Sequence, residues 1–237
     1  MKRFLERKAK VTTKAQPSKS NALGDVTQSL QSFDLIDLQQ YTQEKSYANN
    51  ASKDFHLFYV GRDDVHDVLK HLLSRVSVSL YLNMFGFDDD ELNDILMAKA
   101  KDPHVTMVIT LDKSQAGGVH EKKLLDSDIS NDPTAFNTYF VVGQSATGQI
   151  SHTKGFVADA KVGGEGSTNW SVSGEGTFVV KGQAGGRGYK AQNNTQSIFT
   201  DADTISRFQS ELIAEHMAAR VKKTGNAVEG AYKKGNK

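Results

Sequence analysis

The stretch His152-Thr-Lys-Gly-Phe-Val-Ala-Asp159, followed by Gly166-Ser-Thr-Asn169-Trp170, decides how this chain reads. As a pattern it is H-x-K-x4-D-x6-G-S-x-N. Lys154 to Ala160 alternates, and is β-branched or aromatic enough to form a strand. Side chains two apart on a strand share a face. His152 and Lys154 therefore point one way, and Asp159 points the other. Ser167 and Asn169 are also two apart and would share a face on a second strand. An imidazole, an ammonium, a hydroxyl and a carboxamide could then converge on one small anion. That set suits phosphoryl chemistry: an imidazole can attack phosphorus or move a proton, while an ammonium and an amide can hold phosphoryl oxygens.

Six fixed positions at this spacing would arise by accident about once in a few hundred thousand chains of this length. The pattern resembles the HKD motif of the phospholipase D superfamily, spacer to G-S-x-N included. The resemblance covers about residues 55–220. It implies an α/β/α sandwich with a mixed, mostly parallel central sheet. It also implies phosphodiester hydrolysis in two steps, without metal or other cofactor. His152 corresponds to the nucleophile that forms a phosphohistidine, and Lys154 to the lysine that neutralises the phosphoryl oxygens. Asn169 matches a second phosphate-binding position, and Ser167 a supporting hydrogen-bonding position. Asp159, on the opposite face, is expected to organise the motif from behind.

The two-step mechanism needs a second histidine to protonate the leaving oxygen. No second H-x-K-x4-D occurs, and His56, His66, His71, His104, His120 and His216 lie outside any such motif. Family members with one motif form homodimers whose motifs meet at the two-fold axis, so a homodimer is expected. One departure stands out. Many relatives carry a Glu or Asp after G-S-x-N that orients the histidine. Thr195 or Gln196 would occupy that place here, and neither is a carboxylate. Glu165 and Glu175 are the candidate substitutes.

Outward from the motif, the pattern reads as alternating strands and helices. Phe55–Val60 is strand-like. A helix follows from Asp63, with Val65, Val68, Leu69 and Leu72 on one stripe and acids in its first turn, where the helix dipole favours them. His66 and His71 are five apart and fall on different helix faces, so they do not read as a metal pair. Val76–Phe87 is a strand, and Asp88 to Ala100 a helix whose acidic start reads as capping rather than a metal cluster. Val105–Leu111 reads as a buried parallel strand. Gly118–Leu125 is a helical candidate, and Thr138–Val142 a strand leading to the motif. These crossover units call for a mostly parallel sheet. After Trp170 comes a Gly-rich segment, residues 173–194, in which Lys181, Arg187 and Lys190 could clamp a substrate phosphate; a surface insertion is the plainer alternative. Ser197–Thr200 is a short strand. Asp203–Arg220 is a helix with Ile205, Phe208, Leu212, Ile213 and Met217 on its stripe.

At the ends, residues 1–52 read as a polar, basic, flexible arm, within which Ser32–Tyr41 is amphipathic enough to dock on the body. Residues 53–220 form the catalytic domain and 221–237 a basic tail. The chain has 237 residues and a formal net charge of +1, which hides a split. Residues 1–20 carry seven Lys/Arg and one Glu, residues 220–237 six and one, and the remainder 16 basic against 26 acidic residues. Basic tails add sequence-independent affinity for phosphate backbones or anionic lipid. With no cysteine there is neither a disulfide framework nor a thiolate metal site. No apolar run is long enough to span a bilayer, and the N-terminus lacks an apolar signal core, so a cytoplasmic protein is expected. The functional expectation is a metal-independent endonuclease acting on DNA or RNA. A phospholipase D-type lipid hydrolase and a catalytically weak nucleic-acid-binding protein are the alternatives.

Overall fold

In the computed structural model, the described residues are 30, 33–112, 138–143, 150–183, 185–186 and 189–221, with the backbone alone at 138–143 and 220–221. The Gly118–Leu125 helix candidate, Arg187 and both basic ends lie outside them.

Seven strands form one sheet: β1 (Phe55–Tyr59), β2 (Ser79–Met84), β4 (Thr106–Asp112), β5 (Thr138–Gly143), β6 (Lys154–Ala158), β7 (Val162–Gly166) and β9 (Thr195–Phe199). Their order is β1-β9-β7-β6-β2-β4-β5. β2, β4 and β5 pair in parallel, and every other neighbouring pair is antiparallel. Five strands thus run one way, and only β6 and β9 run the other. The sheet is mixed as expected but not mostly parallel: only the β2–β4 and β4–β5 pairs, joined by crossover units, are parallel, and the other four are antiparallel because β6 and β9 run against their neighbours.

The helices that begin with acids are capped by them. Asp64 accepts from the Asp67 amide at the start of α1 (Val65–Ser74), and Asp89 accepts from the Leu92 amide at the start of α2 (Asp90–Ala100). The stripe Val65, Val68, Leu69 and Leu72 is fully buried. Together with Leu92 and Leu96 of α2 it joins Leu80, Leu82 and Met84 of β2, Met107, Ile109 and Leu111 of β4, and Phe156 and Ala158 of β6 in one core. The opposite sheet face carries a smaller cluster, in which Val157 and Phe199 meet Ile205 and Leu212 of the last helix, α5 (Ala202–Val221). The layers are therefore helix, sheet, helix.

Three further expectations change. The proposed strand Val76–Phe87 is broken: β2 ends at Met84, and Phe87–Asp88 (β3) pairs in parallel with Trp170–Ser171 (β8) as a separate two-stranded ribbon. Ile213 and Met217 are exposed on α5, while His216 and Ala219 are buried. The inner face of α5 meets polar sheet residues: Thr110 pairs with His216, and the Asn83 amide donates to Glu215. The apolar stripe therefore holds at Ile205, Phe208 and Leu212 and departs from the buried face at Ile213 and Met217. Finally, the described part of the amphipathic stretch Ser32–Tyr41 docks on the body as its pattern implied, so the packed part begins before residue 53. Leu30, Leu35 and Leu38 belong to the main core, and the 3-10 helix Leu35–Tyr41 docks on α1 through Tyr41 Oη, 3.0 Å from His71 Nδ1.

Candidate active site

β2 and β4 end on the same edge of the sheet, and β6, running the other way, begins there: Met84 is opposite Lys154. Crevices at the carboxyl ends of parallel strands are the usual ligand sites of such sheets. Asp112, the last residue of β4, is buried and accepts from the Ser151 amide at 2.7 Å. This fixes the segment entering β6 just before His152. On the other face, the Thr153 hydroxyl lies 3.4 Å from Glu215. His152 and Lys154 are left on the side away from α5.

There Lys154 Nζ donates to the His152 carbonyl at 2.7 Å and stands 3.2 Å from His152 Nε2. An ammonium has donors only, so this contact selects the His152 tautomer with its lone pair on Nε2. One of the three ammonium hydrogens is left for a third acceptor. The Phe85 ring, just past β2, lies 4.6 Å from the His152 ring and 5.0 Å from Lys154 Nζ. Burial pushes the Lys154 ammonium below its ordinary value, opposed by the Glu165 carboxylate. His152 itself is exposed.

Ser167 and Asn169 are not on a second strand. β7 stops at Gly166, and both lie in the turn between β7 and β8. Ser167 Oγ donates to Asn194 Oδ1 and accepts from the Thr195 amide, which ties the turn to the start of β9. Asn169 packs on Gly86: a Cβ on that glycine would come within 3.0 Å of Asn169 Cγ. Trp170 N also donates to the Gly86 carbonyl. Asn169 thus lies against Gly86, next to Phe85, whose ring meets His152. Its Oδ1 is buried and makes no hydrogen bond.

Asp159 lies at the far end of β6, in a turn rather than within the strand. Asp159 and Ala160 both adopt positive φ (53° and 51°), and Lys161 N donates to Ala158 O across the turn. The Asp159 carboxylate reaches back to accept from the amides of Ser77, Val78 and Ser79 and from the Ser77 hydroxyl. Lys181 and Lys190 are exposed in the Gly-rich segment. That segment contains two four-residue helices, α3 (Val172–Glu175) and α4 (Thr177–Val180).

Of the two substitute carboxylates, neither is hydrogen-bonded to His152. Glu175 meets His66, and Glu165 acts on Lys154 from β7. Gln196 is fully buried; its Nε2 donates to the Ser197 carbonyl, and its Oε1 makes no hydrogen bond. The motif search missed Phe85, Asp112 and Glu215. Asp112 had a signal, being the one charge closing an apolar run. Glu215 had none, because it reaches the motif only through the fold.

The geometry is an α/β/α sandwich carrying one H-x-K pair at the mouth of its sheet. Solved structures with this fold include Nuc from Salmonella typhimurium, a phospholipase D family member, at 14% identity and TM-score 0.51 over 70% of this chain and 95% of that one. NucT from Helicobacter pylori matches at 16% identity and TM-score 0.52, over 70% and 96%. Phosphatidylserine synthase from Haemophilus influenzae matches at 13% and 0.50, over 75% of this chain but 43% of the synthase. The fold is that of the phospholipase D superfamily. At the level of sequence, no protein-family model and no curated protein matches the chain.

Proposed function

We propose that the protein is a metal-independent phosphodiester hydrolase that works through a phosphohistidine on His152, with nucleic acid as its substrate. The observation that carries this reading is the Lys154 ammonium set 3.2 Å from His152 Nε2 on an exposed imidazole. His152 Nε2 attacks phosphorus, an N–P bond forms and the P–O bond to the leaving group breaks. A second histidine protonates that oxygen, then takes a proton from water as the water attacks phosphorus and frees His152. Lys154 and Asn169 hold the non-bridging oxygens, and Ser167 supports the turn that carries Asn169.

The second histidine comes, in this reading, from the same motif of a second copy in a homodimer. The other described histidines support it. His56 packs on Tyr47, His66 meets Glu175 and Glu91, His71 meets Tyr41, and His216 meets Thr110. His104 is exposed just before β4, at the end of that strand opposite Asp112. The basic ends favour a polyanionic backbone over an isolated phosphodiester. A phospholipid is the second reading, supported by the likeness to the synthase.

The test is turnover of single- and double-stranded DNA, RNA, a chromogenic phosphodiester and phosphatidylcholine vesicles in EDTA, with wild type beside His152→Ala. Nucleic acid should be cut by the wild type and not by the variant. Equal cleavage by both would remove the basis of the mechanism, and turnover of vesicles alone would replace the substrate. Sedimentation of a fully active monomer would defeat the shared site.

A further inference from the structure

A second cluster of chemically capable side chains lies behind the catalytic loops, where α1, α2 and α3 meet. His66, Asp89 and Glu175 offer one nitrogen and two carboxylate oxygens within 4.8 Å of one another, and all three residues are buried. We propose that His66 Nδ1, Asp89 and Glu175 bind one divalent transition-metal ion of the zinc class, as a structural site separate from the phosphodiester chemistry.

Four observations support this. The first is charge. Asp89 and Glu175 bring two carboxyl groups against one imidazole in a volume where Glu175 is 0%, His66 3% and Asp89 7% exposed, and burial pushes the Glu175 carboxyl up to about 7. Burying unbalanced charge is costly. A divalent ion with a neutral imidazole and two carboxylates balances to zero. The second is an orphan: Glu175 Oε1 is buried and has no hydrogen-bond partner. An ion held through both Glu175 oxygens would satisfy it. Asn93, one helical turn beyond Asp89 and so on the same face of α2, is fully buried with neither amide atom partnered.

The third is the other nitrogen of the histidine. His66 Nε2 is 3.0 Å from Glu91 Oε2, and the second Glu91 oxygen is held by Lys70 at 2.6 Å. Metal-bound histidines are characteristically oriented this way, by a carboxylate on the nitrogen that does not bind the ion. The fourth is spacing. Oxygen and nitrogen ligands of tetrahedral zinc stand about 3.4 Å apart. His66 Nδ1 and Asp89 Oδ2 are already 3.6 Å apart. His66 Nδ1 and Glu175 Oε2, now 2.5 Å apart, would open by about 0.9 Å to share the ion. Such an ion would join the segment after β3 to the segment after β8, the two strands that follow directly on Phe85–Gly86 and Asn169.

The test uses the untagged full chain and measures metal content, then zinc binding by calorimetry after chelation. About one zinc per chain is expected, with a higher thermal midpoint in zinc than in chelator. Glu91→Gln should weaken zinc binding by about 10- to 100-fold while keeping one site per chain. Glu175→Gln, which preserves shape and a hydrogen bond to His66, should abolish stoichiometric binding; its circular dichroism reports whether it has folded. The competing arrangement is an imidazolium. Burial disfavours the charge on His66, yet the carboxylates of Glu175 and Glu91 outweigh burial and would hold the ring protonated to about pH 9. A metal-free wild type that binds no zinc and shows a doubly protonated His66 by NMR would overturn the proposal. So would zinc binding unchanged in folded Glu175→Gln.

Discussion

Replacing Asp159 tests whether the motif aspartate acts through architecture. Its carboxylate accepts from three consecutive backbone amides, those of Ser77, Val78 and Ser79, at 3.0, 2.8 and 2.8 Å, and from the Ser77 hydroxyl at 3.0 Å. These amides open β2, whose register with β6 pairs Leu80 with Ala158. Hydrogen bonds to a charged acceptor contribute about 1.5–3 kcal/mol each, but not additively. Val78 is exposed and Ser77 and Ser79 half-buried, so water would take up part of what Asp159→Ala releases. Alanine at φ 53° adds about 1 kcal/mol of strain. The sum is about 3–4 kcal/mol for Asp159→Ala, a large share of the roughly 5–15 kcal/mol that holds most domains folded. Asp159→Asn keeps one acceptor oxygen and tolerates the left-handed backbone, so it should cost about 1–2 kcal/mol. Urea unfolding of both variants gives these values. Because β6 separates Asp159 from Lys154 by about 17 Å of strand, the folded fraction should keep its turnover. An alanine variant within 1 kcal/mol of wild type, or a stable variant with no turnover, would refute the architectural role.

Three further outcomes follow from the same geometry. Ala160 sits at φ 51° in the three-residue turn between β6 and β7, a backbone conformation that favours glycine, so Ala160→Gly should raise stability by about 0.5–1 kcal/mol in the same urea assay. A Cβ at Gly166 would stand 2.1 Å from the Thr195 carbonyl, a backbone atom of β9 that cannot rotate away; Gly166→Ala should cost about 2–3 kcal/mol and lower the thermal midpoint. Burial, helped by the Arg75 charge, holds His71 down to about 4 from an ordinary 6.5. The unfolded chain therefore takes up that proton first. The stabilisation is complete above about pH 6.5 and lost as pH falls toward 4, by about 3 kcal/mol in all. Thermal midpoints across that range should drop less steeply for His71→Gln than for wild type.

Features that depend on local pattern were legible in the sequence. Asp64 and Asp89 cap the helices whose acidic starts announced them, and Val105–Leu111 is the buried parallel strand its apolar run implied. The H-x-K spacing placed His152 and Lys154 on one side because a strand end obeys period two. What failed had a physical source. Ser167 and Asn169 look like strand residues by spacing, but Ser167 Oγ takes the Thr195 amide and Thr168 Oγ1 donates to the Thr195 carbonyl, so the chain turns there. The motif glycine is also a packing residue, since β9 leaves no room for a side chain at 166. The helix stripe held at Ile205, Phe208 and Leu212 and slipped after them because the buried face continues through the polar His216 and the small Ala219. The cluster of His66, Asp89 and Glu175 joins residues up to 109 positions apart, which no local pattern can connect.

Among the described residues, most carboxylates near the H-x-K motif are engaged by scaffold groups, and Glu165 is the exception that acts on Lys154. Asp112 holds the Ser151 amide, Asp159 the start of β2, Glu215 the Asn83 amide and the Thr153 hydroxyl, and Glu175 the His66 ring. Even where a carboxylate would be expected to orient the histidine, the chain has Gln196, an uncharged group. His152 is then left with the Lys154 ammonium and the Phe85 ring beside it, and Lys154 with the Glu165 carboxylate acting from β7. This distribution matters because the body of the chain is acidic and would repel a polyanion at long range. A phosphodiester can still be favoured at contact, where Lys154 acts over about 3 Å in a partly desolvated setting, while the distant acids are screened over a Debye length of about 8–10 Å. It also changes what must hold the histidine. With no carboxylate on Nδ1 among the described residues, the orientation of His152 rests on Lys154 at Nε2, on the Phe85 ring beside it, and on the backbone clamp from Asp112. The active-site geometry is therefore only as firm as the end of β4 and the turn after β2.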